Sequence, residues 1–147
     1  MSSIQLEIDS DLENVALVAL SANKICLHAG LSETHASMVE LAIAEAVTNS
    51  IQHAYRGQAG NVVSVAISIF PNRLEFEVVD QGIGMPPHEL NRLFEGAPEF
   101  EFDLDNLDAI PEHGRGLQII HDVMNPIEYI QDSTGNHLRL TRKMDPD

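Results

Sequence analysis

The chain has 147 residues, 44% of them hydrophobic, and 23 Asp and Glu against 8 Lys and Arg give a net charge of −15. That length and apolar fraction predict one globular domain, residues 1–147, with a real core, and exclude a disordered chain. The acidic balance leaves too few cations for the basic patch of a direct nucleic-acid binder.

The start, "MSSIQLEIDS", lacks the basic and apolar segments of a signal peptide. "SIQLEI" (Ser3 to Ile8) alternates, which predicts a strand with Ile4, Leu6 and Ile8 on one face. "DSDLENVALVALSANKICLHAG" predicts a helix. Asp9, Ser10 or Asp11 caps it, Leu12, Val15, Leu17, Leu20 and Ile25 give helical spacing, and Gly30 stops it. The single Cys26 on this helix excludes an intramolecular disulfide and reads as a buried thiol. Ser32 opens a second helix, "SETHASMVELAIAEAVTNSIQHAY", which ends at "RGQAGN". "VVSVAISIF" and "RLEFEVVD" follow as two strands around a turn at Pro71 and Asn72.

Beyond "VVDQGIGM" the pattern changes. Residues Pro86 to His113 hold four of the seven prolines, eight Asp or Glu and one Arg, including the acidic run "PEFEFDLDNLD". "PPHELNRLF" fits a short helix with Pro in its first turn. The remainder reads as a lid or loop. "GRGLQIIHDVMN" predicts a helix opened by glycines, and "IEYIQD" and "HLRLTRK" predict two strands around a turn at Ser133 to Asn136. The order β-α-α-β-β-loop-α-β-β argues for an α+β fold, with helices on one face of a mixed, mostly antiparallel sheet. No apolar run approaches the roughly 20 residues of a membrane span, so the expectation is a soluble cytoplasmic protein with no membrane contact.

Three segments carry candidate chemistry. On the second helix Glu45, Asn49 and His53 recur every four residues, with Gln52 between, opposite an apolar stripe of Ile43, Ala44, Val47, Ile51, Ala54 and Tyr55. Such a line is either a solvated face or a site. In a site, Asn49 offers a neutral oxygen to a hard cation such as Mg²⁺, and Glu45 can take a proton from a nucleophile beside it. His53 is a further ligand or a wall residue. In "VVDQGIGM" Asp80 ends a strand before Gly82 and Gly84. This is either a glycine turn or a base pocket, in which a carboxylate accepts from an exocyclic amine and the glycines let a flat ring approach. In "EHGRGLQII" Gly114 and Gly116 open an apolar helix, where free N–H groups favour an anion. Arg115 is the only Arg or Lys between Arg92 and Arg139.

In this order, ExxxN, DxGxG and a GxG opening a helix, the chain from about Ile4 to Arg142 resembles the gyrase–chaperone–histidine-kinase–MutL ATPase superfamily. "EAVTNSIQHAY" and "HGRGLQII" look like its anti-sigma-factor serine kinases of bacterial partner-switching systems. The resemblance implies a Bergerat ATP-binding fold, a two-layer α/β sandwich, with ATP and Mg²⁺ as cofactors. Asn49 would hold Mg²⁺, Glu45 would be the catalytic base towards a serine hydroxyl, and Asp80 would recognise adenine. Gly82, Gly84, Met85 and His53 would line the nucleotide, and Gly114, Arg115, Gly116 and Leu117 would take the phosphates. Residues Met85 to His113 would form the ATP lid. Implied partners are an anti-sigma-factor antagonist, a sigma factor and a second copy in a homodimer.

Two departures stand out. Glu112 occupies a position where some members carry arginine, and Asn136 and His137 stand where a hydroxyl residue often lies near adenine, with Thr134 the nearest hydroxyl. Two rivals follow: a nucleotide-binding module that only sequesters its partner, and a detached histidine-kinase ATPase domain with His28, His35 or His53 as phosphoacceptor.

Overall fold

Alternating apolar residues in "VVSVAISIF", "RLEFEVVD" and the final strand give the sheet its one buried face. The computed structural model describes residues 2–96 and 112–144, the side chains of 112–114 excepted. Strands β1 (Ser2–Asp9), β2 (Val62–Phe70), β3 (Arg73–Asp80), β4 (Ile127–Asp132) and β5 (Gly135–Lys143) form one sheet in the order β1-β2-β3-β5-β4. Every pairing is antiparallel. The expectation of a mixed sheet is thus corrected: each strand meets its neighbour through a hairpin or a return across the sheet, and no right-handed βαβ crossover is needed.

Val63, Val65, Ile67, Leu74, Phe76, Val78, Leu138 and Leu140 are all buried on that face. Their period of two follows from the pleat, and each large side chain removed from water contributes about 1.5–3 kcal/mol. Ser64, Glu75, Glu77 and Arg139 alternate with them and remain partly or fully exposed.

The helical layer consists of α1 (Val15–Ala29), α2 (Glu33–Asn49), α3 (Pro87–Glu95) and α4 (Glu112–Val123). Asp11 caps a short 3₁₀ turn, Leu12–Asn14, by accepting from the Glu13 N–H at 3.0 Å. Gly30 and Leu31 close α1 by donating to Leu27 and Cys26 carbonyls. Ser32 caps α2, accepting from the His35 N–H at 3.2 Å. One element differs in phase from the sequence reading. α1 buries Val18, Ala22 and Cys26, while Leu12, Leu17 and Leu20 stand exposed. Burial pushes the Cys26 thiol up to about 12, with the Arg142 charge acting the other way, so the thiol stays protonated and unreactive.

α2 does not end as an α-helix. Residues Ser50–Ala54 form a π-turn, in which Tyr55 N–H reaches back to the Ser50 carbonyl at 3.2 Å. Such turns slip the helix register by one residue, often at functional sites. α4 begins at Glu112, two residues before the first glycine of "GRG", so both glycines lie inside the helix. The acidic run and most of the expected lid lie outside the described residues.

Candidate functional site

The π-turn brings the end of α2 against the tip of β3. Ala54 carbonyl accepts from the Ile83 N–H at 2.9 Å. A Cβ on Gly82 would stand 2.8 Å from the Ala54 Cβ and overlap the Ala54 carbonyl oxygen, so only glycine lets the two segments meet here. Tyr55 reinforces the junction. Its hydroxyl donates to the Val62 carbonyl at 2.7 Å and accepts from the Gln81 N–H at 2.8 Å. Burial raises the Tyr55 phenol above its ordinary value, the Gln81 N–H acts against this, and the Asp80 charge adds to it.

Asp80 is buried at the end of β3, paired in register with Asn136 of β5. The Asn136 amide donates to Asp80 Oδ1 at 2.7 Å and to the Gly82 carbonyl at 3.0 Å, and its oxygen accepts from Gln131 Nε2 at 3.1 Å. The Gly82 N–H also donates to Asp80 Oδ1, at 3.1 Å. Both of these contacts fall on Oδ1, and no hydrogen bond to Oδ2 is formed among the described residues. Gly84 lies under the Gln131 amide, whose Cδ is 2.9 Å from where a Cβ would sit. The open sides of both glycines thus face protein atoms, where the sequence led to the expectation of a flat ring.

Asn49, His53, Asp80, Met85, Tyr129 and Asn136 line one cleft. Glu45, Asn49, His53, Gly116 and Leu117 line a second, with Gln52 at its exposed rim. Asn49 and His53 border both, which makes them two ends of one groove between α2, the β3 tip and α4. Each end has a cavity volume of about 20 Å³, room for roughly one water. The Glu45 carboxylate packs on Gly116, where a Cβ would lie 3.2 Å from its Cδ. Because α4 starts at Glu112, the N–H groups of residues 112–114 in its first turn have no carbonyl four residues back within the helix. Gly114 belongs to that turn, exposed Arg115 follows it directly, and Gly116 and Leu117 lie further along the helix.

Sequence reasoning misses Tyr129, which lines this groove, and Gln131 and Glu89, which stand beside groove residues. Tyr129 accepts from the Met85 N–H at 2.9 Å and fixes the start of the segment expected to form a lid. Burial raises its phenol, Met85 acts against this, and the Asp80 and Glu89 charges add to it. Gln131 braces Asn136. Glu89 on α3 is buried and stands 3.8 Å from His53 Nδ1. Its position four residues before buried Leu93 is the signal the sequence offers, since i and i+4 share a helix face. No helix among the described residues is long and apolar enough to cross a membrane.

The chain resembles a known family and several known proteins. The family described as Histidine kinase-like ATPase domain matches residues 8–142. The serine-protein kinase RsbW of Bacillus thuringiensis (strain Al Hakam) is 30% identical over 129 residues, covering 88% of this chain and 78% of that protein. The serine-protein kinase RsbW of Bacillus anthracis is 28% identical over the same lengths. The solved structure of the mycobacterial sensor histidine kinase MprB aligns with a TM-score of 0.51 at 18% identity, covering 95% of this chain and 97% of that one, a likeness of fold.

Proposed function

This chain belongs to the histidine kinase-like ATPase family, and on that premise we propose that it is an ATP-dependent serine/threonine protein kinase of the anti-sigma type. Its substrate is an anti-sigma-factor antagonist, and it sequesters a sigma factor or another regulator. The observation that carries the reading is the single groove that unites Glu45 and Asn49, Asp80 with Asn136, and the first turns of α4.

Phosphoryl transfer needs positioning and charge neutralisation more than covalent chemistry. Asp80 Oδ2 accepts from the adenine amine, while Asn136 holds Oδ1. Glu45 takes the proton of the attacking serine hydroxyl. The free N–H groups at the start of α4, with Arg115, take phosphate oxygens. A hard oxygen donor set, the Asn49 amide oxygen beside the Glu45 carboxylate, fits Mg²⁺, which takes few protein ligands alongside phosphate and water. When bound, that ion neutralises phosphate charge; Asn49 is the residue that would hold it. The acidic lid gives a reason for needing it.

A second reading, a module that binds nucleotide and only sequesters its partner, draws support from the groove's size. Room for one water means that nucleotide entry moves the lid segment, and a moving lid is a switch even without transfer. A pull-down from the native cytosol with and without Mg-ATP, followed by phosphosite mapping of the retained protein, separates the two. Phosphoserine or phosphothreonine on that protein supports the kinase. Retention without modification supports the module. The homodimer remains part of the proposal, read out by sedimentation.

A further inference from the structure

Glu89 is an acidic side chain only 5% exposed, on the short lid helix α3. One oxygen, Oε1, stands 3.8 Å from Nδ1 of His53, the residue that borders both ends of the groove. The other, Oε2, is buried and accepts no hydrogen bond among the described residues. The carboxylate is also close enough to the Tyr129 phenol for its charge to add to that group's rise. A buried carboxylate oxygen without a donor costs free energy in the ligand-free chain. Sequences that keep such a group against their own stability usually use it.

We propose that Glu89 is a ligand-binding residue, whose Oε2 accepts a hydrogen bond from an O–H donor brought in by the nucleotide. This deepens the ATP-binding reading and rests on it. A carboxylate beside a groove for a polyanion would repel phosphate oxygens, so its partner must be a donor. Two sources in a Mg-ATP complex carry one: a ribose hydroxyl, and a water of the cation's hydration shell. Because Glu89 sits on α3 and His53 on the π-turn that follows α2, the same bond would hold α3 against the end of α2 when nucleotide is bound. Glu89 would thus read occupancy of the groove and report it to the lid.

The test uses the full chain and two measurements: the Kd of Mg-ATP by calorimetry, and the ligand-free Tm. Wild type is compared with Glu89→Leu, Glu89→Gln and the exposed control Glu7→Gln. Glu89→Leu is expected to raise the ligand-free Tm while weakening Mg-ATP roughly tenfold or more. Glu89→Gln, which keeps an acceptor oxygen, should lose less, and Glu7→Gln should change neither quantity. If the ribose is the source, 2′-deoxy- or 3′-deoxy-ATP costs wild type as much affinity as Glu89→Leu does, with no further loss in the variant. If the cation's water is the source, removing Mg²⁺ with EDTA erases the difference between wild type and variant instead. A lower Tm for Glu89→Leu, an unchanged Kd, or a difference that survives both the deoxy-nucleotide and EDTA arms overturns the proposal. A wild-type chain that binds no nucleotide overturns the ATP-binding reading itself, and this proposal with it.

Discussion

The Glu45 carboxylate rests against the backbone of Gly116, so that a Cβ on that glycine would lie 3.2 Å from Glu45 Cδ and overlap Oε2. The proposed base and the start of α4 are therefore set by one contact. Gly116→Ala replaces a poor helix former with the best one, inside a helix, so it should leave stability within about 1 kcal/mol or raise it. It should also displace the Glu45 carboxylate. Misplacement of a catalytic group by an ångström costs on the order of a hundredfold. A melting curve and single-turnover label transfer check both halves. A variant with wild-type transfer would show that the position of Glu45 is immaterial.

Asn136 holds Asp80 by its amide. Asn136→Ala removes two donated bonds inside a buried pair, and is expected to cost about 1–3 kcal/mol of stability and to weaken nucleotide binding. Asn136→Asp is nearly the same size, yet it places a second carboxylate where the donor stood 2.7 Å from Asp80 Oδ1. It should be worse than alanine near neutral pH and recover as the pH falls. Denaturant titrations at two pH values check this. Equal stability of the Asp and Asn forms would contradict the hydrogen-bond assignment.

Cys26 gives the chain a measurable alkaline slope. Its thiol is held up to about 12 in the folded state against an ordinary 9.0, chiefly by burial. Between those values the native state keeps a proton that the unfolded chain has lost. The stability that this contributes is present below about pH 9 and falls as pH rises through the window. Cys26→Ala, with a lower Tm near neutrality from the small cavity it leaves, should lose less stability above about pH 9 than wild type. The same alkaline slope in both proteins would mean that the thiol does not titrate with unfolding.

Much of this architecture is legible in the sequence. Ser32 as a cap, Gly30 as a stop, and the alternation of Val63, Val65 and Ile67 are local signals, and local physics delivers them. The groove residues Glu45, Asn49, His53 and Asp80 are also legible, because their order and spacing are carried in the chain. What is not legible is hidden for tertiary reasons. α1 has apolar residues on two sides, and periodicity does not choose Val18, Ala22 and Cys26 over Leu17 and Leu20. The π-turn at Ser50–Ala54 depends on the loop at Gly82 that presses against it. α4 starts at Glu112 although "GRG" has the look of its first turn. Glu89 reads as one more acid of an acidic stretch, since its burial and its 3.8 Å approach to His53 come from tertiary packing.

The proposed phosphoryl transfer depends most on Asn49. The direct measurement is transfer of γ-label from Mg-ATP to the antagonist recovered in the pull-down, with wild type and Asn49→Ala side by side. The expected result is an acid-stable phosphoester on serine or threonine with wild type, and its loss in Asn49→Ala despite an unchanged melting temperature. Unchanged turnover in Asn49→Ala, or an acid-labile phosphoramidate on His28, His35 or His53 of this chain, would contradict it.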